Sequence, residues 1–349
     1  MFYHGRKRFI LVVMVMLIMG TTAGCAADTS QAIPDKQETQ DRIQIGMTFD
    51  SFIIERWQRD RDAFVAKATK ELGAEVNIQN ANGDIEEQVN QIDYFIEKNV
   101  DVIVVVPIDS DAVTDAIKRA KKAGIRVIAY DRLVKNANVD LYITFDNEKV
   151  GALMAQSIKA NIPDDGNILM MCGPLEDNNV ELVQKGFMRE LETSEIEVKA
   201  IEHATGWVAE TGFDFVSDYL NKDMSIDAVM CGNDGIAAQA IHALSERRLA
   251  GKVVVVGQDA DLDACQRIVE GTQTMTVYKP VEKLAQKAAE YAVKLAKGES
   301  LQVTDTFDDG SGEVPYVGLE PIAVTKDNMD IIINDGFHLE EEIYLNINK

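Results

Sequence analysis

Residues 101–132 read DVIVVVPIDSDAVTDAIKRAKKAGIRVIAYDR, and the pattern of this stretch decides the fold. Val102–Val106 is an unbroken β-branched run, as expected of a parallel strand buried on both faces. Residues 111–123 form an amphipathic stretch, and Gly124 follows where a helix commonly ends on glycine. Val127–Tyr130 is the next apolar run. Polar groups follow both runs, Asp109 after the first and Asp131-Arg132 after the second. Strand, helix and strand at these lengths imply a right-handed crossover between parallel strands. In open sheets of this kind ligands sit beyond the carboxyl ends of the strands.

The signature repeats on both sides. Upstream, strands are expected near 43–48 and 75–79, with helices near 55–72 and 84–98. Gly73 ends the first helix, and Asp84 before Ile85-Glu86-Glu87 is an N-cap followed by first-turn acids. Downstream, the extended piece Leu141–Phe145 leads to a helix starting near Asn147. Strands near 167–171, 196–201, 227–231, 252–256 and 274–278 follow, with helices between them. A loop at 308–313 precedes a final short strand at 314–317. The strand ends again carry fixed hydrogen-bonding groups: Asp50 and Arg56, Asp177-Asn178-Asn179, Asn233-Asp234, Gln258-Asp259 and Lys279. The chain is 349 residues long, enough for two domains that each bury a core, and the pattern describes two similar α/β halves. Their polar strand ends suit a cleft for a small polar molecule.

The formal charge of −23 excludes nucleic acid as a natural partner, and no basic patch offsets it. Lys118–Lys122 is the solvated face of a helix near its C-terminus. Arg6-Lys7-Arg8, the apolar run Phe9–Met19 and Gly20-Thr21-Thr22-Ala23-Gly24-Cys25 form a signal peptide over residues 1–24, whose apolar run is too short to span a bilayer. Cys directly after Ala-Gly resembles a bacterial lipobox, with Thr22 where Leu is commonest. Cys25 would then carry lipid and anchor an extracytoplasmic protein to the cell membrane. Plain secretion and an uncleaved anchor are the alternatives. Removing 1–24, with three basic and no acidic residues, takes the charge from −23 to −26. Residues 25–41 are polar and without hydrophobic period, a flexible tether. Cys172, Cys231 and Cys265 have no paired spacing, and the first two read as small buried hydrophobes at strand ends.

Several longer motifs carry a family resemblance. Glu55-Arg56-Trp57-Gln58, Tyr130-Asp131-Arg132, Phe145-Asp146-Asn147-Glu148-Lys149 and Asp177-Asn178-Asn179 occur in order, followed by Gly257-Gln258-Asp259-Ala260-Asp261 and the run Gly271–Pro280. From about Ile43 to Leu339 the chain resembles the periplasmic D-xylose-binding proteins of ABC import systems. The resemblance implies two doubly wound parallel-sheet domains joined by a three-segment hinge and closing on one pyranose. The boundaries expected are 42–146 plus 281–319 for the first domain and 147–280 plus 320–349 for the second, with crossings near 145–148, 279–281 and 318–322.

The residues suit a sugar on physical grounds as well. A pyranose has apolar C–H faces and a rim of hydroxyls, and aromatic rings pack such faces with little entropy lost. Trp57 and Trp207 are the chain's two tryptophans, each near the start of a helix after a strand, and the resemblance makes them the walls of the slot. Two core tryptophans is the plainer reading. For the rim, Arg56 and Arg132 offer forked donors, Asp131 and Asp259 acceptors, Asn179 and Asn233 both, and Lys279 a movable donor. Position by position these match the family's sugar ligands, and Asp177 is a further candidate. Plainer readings stand beside them: Asp131-Arg132 as a local ion pair, Asn233 as an N-cap, Lys279-Pro280 as a hinge turn.

Asp259, Asp261 and Asp263 with Glu270 have the spacing of a calcium loop, but Ala264 stands where that loop needs Gly. No cofactor is expected, and His4, His203, His242 and His338 are too scattered for zinc. A glycoside hydrolase working through Asp131 and Asp259 would need one carboxyl with a raised pKa, whereas basic residues accompany both. The expectation is therefore a non-enzymatic lipoprotein that delivers D-xylose or a related monosaccharide to ABC permease subunits. The alternative consumer is a membrane sensor kinase.

Overall fold

The computed structural model describes residues 42–222 and 225–347. The expected signal peptide, tether and lipidated Cys25 lie outside them. The first stretch runs β1 (Gln44–Phe49), α1 (Arg56–Ala66), β2 (Glu75–Asn80), α2 (Ile85–Glu97), β3 (Val102–Val105), α3 (Thr114–Lys122), β4 (Arg126–Tyr130) and β5 (Leu141–Phe145). The second runs α4 (Asn147–Asn161), β6 (Asn167–Cys172), α5 (Asn178–Leu191), β7 (Glu197–His203), α6 (Thr211–Leu220), β8 (Ala228–Cys231), α7 (Asp234–Glu246), β9 (Val254–Gln258), α8 (Leu262–Glu270) and β10 (Met275–Tyr278). The chain closes with α9 (Val281–Ala296), β11 (Thr306–Asp308), β12 (Glu313–Leu319), β13 (Ile322–Val324), α10 (Asp330–Asn334) and α11 (Glu340–Ile343).

These elements build two sheets, ordered β11-β12-β5-β4-β3-β1-β2 and β13-β10-β9-β8-β6-β7. All pairings are parallel except β11 with β12 and β13 with β10. The β-branched runs are central because helices cover both faces of a doubly wound sheet. In β3, Val102 and Val104 join one apolar core while Ile103 and Val105 join another, as the two-residue period of a strand requires. Side-chain oxygens of Asp84, Asp146, Asp177 and Asn233 cap α2, α4, α5 and α7 by accepting backbone N–H bonds. Helices α4 and α5 pack backbone to backbone: a Cβ on Gly151 would lie 1.9 Å from the Val183 carbonyl oxygen.

Three crossings join the two lobes. Asp146 leads from β5 to α4, Lys279-Pro280 from β10 to α9, and Glu320-Pro321 from β12 to β13. Helix α9 packs on α1, β3, β4 and β5, so it belongs to the first lobe. Asp146 N donates to the Leu319 carbonyl at 2.9 Å, which holds two of the crossings side by side. The strand expected at 314–317 is longer, Glu313–Leu319, and it is not the last. Three-residue strands flank it, too short for any periodicity to announce them. Cys172, Cys231 and Cys265 are buried free thiols.

Candidate functional site

The carboxyl ends of the strands in both lobes face a common cleft. From the first lobe it is lined by Ile54, Arg56, Trp57, Asp131 and Arg132. From the second come Asn147, Cys172, Gly173, Asp177, Asn179, Val180, Val183, Trp207, Met230, Gly232, Gln258 and Asp259, with Lys279 at a crossing. The space between the lobes is about 490 Å³ when its open mouth is included.

Charge is arranged densely. Arg56 Nη2 lies 2.8 Å from Asp131 Oδ2 and 3.1 Å from Asp60 Oδ1, and Arg56 Nη1 lies 3.8 Å from Asp259 Oδ1. Arg132 Nη1 donates to Asp50 Oδ2 at 2.8 Å and to the Pro107 carbonyl at 3.1 Å, while its Nε lies 2.6 Å from Asp177 Oδ2. Lys279 Nζ sits 2.6 Å from Asp259 Oδ1, an ion pair without hydrogen-bond alignment. Burial pulls the Asp131 carboxyl up, but Arg56, Lys279 and Arg132 together hold it below its ordinary value. At Asp60 burial wins over Arg56 and raises the carboxyl, and the Tyr130 hydroxyl donates to it. Burial also raises Asp177, with Arg132 and the Asn179 N–H offsetting part of the rise.

The lobes touch across the cleft. Besides Arg132 with Asp177, Asn179 Nδ2 donates to the Asp131 carbonyl at 3.0 Å, and the Tyr142 hydroxyl donates to Asn179 Oδ1 at 3.2 Å. Farther out, Ser110 N donates to the Glu176 carbonyl at 3.0 Å.

Each lobe supplies one tryptophan. The Arg56 guanidinium lies 4.4 Å from the Trp57 ring centroid, which holds that indole on the wall. Trp207 sits in a short 3-10 turn, Thr205–Trp207, ahead of α6 rather than on a helix. Its ring lies against glycines that follow two strand ends: a Cβ on Gly173 would come within 2.3 Å of it, and one on Gly232 within 3.3 Å. Trp207, Asp131 and Asp259 all have left-handed backbone, with φ of 60°, 63° and 98°. Such strain in non-glycine residues persists only where the surroundings impose it, and here it aims three cleft side chains.

Among the described residues, six buried side-chain polar atoms have no hydrogen-bond partner. Four of them belong to residues lining this cleft: Trp57 Nε1, Trp207 Nε1, Gln258 Oε1 and Asp259 Oδ1. Two are donors and two acceptors, the complement of a molecule with several hydroxyls.

All the expected site residues line the cleft except Asn233, whose carboxamide oxygen accepts from Ile236 N at 2.9 Å as the cap of α7. Asp131 and Arg132 are not a local ion pair: each pairs with a residue distant in sequence, because their side chains leave the strand end in different directions. Asn147, Gly173 and Gly232 were not foreseen as cleft residues, and Gln258 was read as a polar strand end but not as a site residue. Asn147 and Gln258 sit inside the quoted motifs, where Asn147 reads as a helix start. Asp60 was legible as the i+4 neighbour of Arg56. Asp261 and Asp263 lie at the start of α8, not in a calcium loop.

The profile of the periplasmic binding protein domain family matches residues 45–300. A D-xylose-binding periplasmic protein of Haemophilus influenzae is 46% identical over 308 residues, covering 86% of this chain and 92% of its own length. The protein of the same description from Escherichia coli is 44% identical over 307 residues, with the same coverage. Among solved structures, an ABC transporter solute-binding protein from Clostridium phytofermentans with bound β-D-glucose superposes with a TM-score of 0.78 at 28% identity, covering 86% of this chain and 99% of its own.

Proposed function

Since the chain belongs to the periplasmic binding protein domain family, and so is a solute-binding protein and not an enzyme, we propose that it binds D-xylose or a related monosaccharide between its lobes and, on closure, delivers it to an ABC transporter. The carrying observation is a cleft walled by two indoles in which Trp57 Nε1, Trp207 Nε1 and Gln258 Oε1 are buried without a hydrogen-bond partner. Relatives that bind D-xylose by description, similar over nearly their whole length, favour that sugar.

In this reading Trp57 and Trp207 pack the faces of the ring. Arg56, Asp131, Arg132, Asn179, Asp259 and Lys279 bond its hydroxyls, and Asp177 sets Arg132. Asn233 acts mainly as a cap. The lobes are 42–146 plus 281–319 and 147–280 plus 320–349. Ligand favours the shut form because only closure brings groups of both lobes onto it. The protein works outside the cytoplasm, anchored through lipid on Cys25.

Calorimetric titration with D-xylose, D-glucose, L-arabinose and D-ribose tests the assignment. Tightest binding of D-xylose is expected, and no heat with any of the four would overturn it. For the anchor, wild-type protein should partition with membranes and Cys25→Ser protein should be released.

A further inference from the structure

Gln258 ends β9, and its side chain is buried in the cleft wall. Its Nε2 donates to the Gly232 carbonyl. A carbonyl can only accept, so this bond settles which way the carboxamide faces. The other end, Oε1, is buried with no donor among the described residues. Buried acceptors without donors are rare, and each calls for a specific cause.

We infer that Gln258 is a specificity-determining residue whose Oε1 accepts a hydrogen bond from one hydroxyl of the ligand. The inference rests on the sugar-binding reading and deepens it. Because one of its two amide N–H groups is held by the Gly232 carbonyl, the carboxamide is fixed in orientation and Gln258 presents Oε1 as a neutral acceptor. It therefore selects for an O–H at one ring position and against hydrogen, fluorine or an ether there, since each would leave Oε1 buried and unpaired. Gly232 also lies against Trp207, so the bond that fixes the carboxamide joins the acceptor to the aromatic wall.

Wild-type, Gln258→Met and Gln258→Leu proteins are titrated with D-xylose and with its 1-, 2-, 3- and 4-deoxy analogues, after melting curves establish which variants fold. At least one folded variant should lose roughly tenfold or more in D-xylose affinity. For one deoxy analogue, and one only, wild type and variant should bind about equally, because the hydroxyl that Gln258 would accept from is already gone. Equal loss against all five sugars would mean that Gln258 acts only through Gly232 and Trp207, and would overturn the inference. Wild-type protein that ignores D-xylose but binds another monosaccharide condemns the choice of sugar, and the same cycle then runs on that sugar's deoxy series. Binding of no monosaccharide overturns both readings.

Discussion

Asp177 of the second lobe and Arg132 of the first meet at 2.6 Å, with side chains 2% and 3% exposed. Their partnership spans the cleft, so opening must break it. Asp177→Asn keeps an oxygen to cap α5 but removes the charge facing Arg132. Sugar affinity should fall roughly 10- to 100-fold, about 1.4–2.8 kcal/mol, and small-angle scattering should report a larger radius of gyration. Unchanged compaction and affinity would mean that the pair does not hold the lobes shut.

Arg56 neutralises carboxylates that water does not reach, Asp60 among them at 0% exposure. Arg56→Leu should cost about 3–5 kcal/mol in urea unfolding, as breaking a buried pair from one side does. Adding Asp60→Asn should restore much of that stability while binding stays lost. A double variant no more stable than the single would count against this account.

Gly173 sets how close Trp207 lies to the sheet. In Gly173→Ala the new methyl would meet the indole at 2.3 Å, so the ring must move into the cleft. Trp57 and Trp207 are the chain's two tryptophans, so sugar titrations can be followed by intrinsic fluorescence. Gly173→Ala should weaken binding at least about tenfold, and Trp207→Phe in that background should recover part of it because the smaller ring relieves the overlap.

Asp234 gives the protein a pH dependence with a definite sign. Burial pushes its carboxyl up to about 7, although Thr276 and Gln273 donate to it. Between the ordinary value of 3.8 and about 7 the unfolded chain has released this proton while the folded chain retains it. Its contribution to stability is thus full below that window and lost as pH rises through it. From pH 4 to pH 8 wild type should lose about 2–4 kcal/mol more than Asp234→Asn, read as urea unfolding free energies. Equal slopes would mean that Asp234 is ionised throughout.

The alternating pattern was legible because buried parallel strands need unbroken β-branched runs, and Val102–Val106 and Val127–Tyr130 have little other use. Most site residues could be located because strand ends and long motifs mark them. Partner choice could not. Arg132 reaches Asp50 and Asp177, and Arg56 reaches Asp259, through the placement of loops and lobes that no local spacing encodes. Strands β11 and β13 escaped for a related reason: three residues each, they are strands only because β12 and β10 offer them an edge.

Strand β12 pairs with β5, and the whole second sheet except β13 lies between them in sequence. During synthesis, then, the β5 edge stays open until the chain has passed Leu319. The stretch Asn147–Tyr278 meanwhile holds five of its sheet's six strands in one contiguous piece. The half made first should therefore be finished last, and its slowest step should be the return of β12, a long-range closure of the kind that delays folding. An excised first half, ending at Phe145, would present a naked strand edge to other chains.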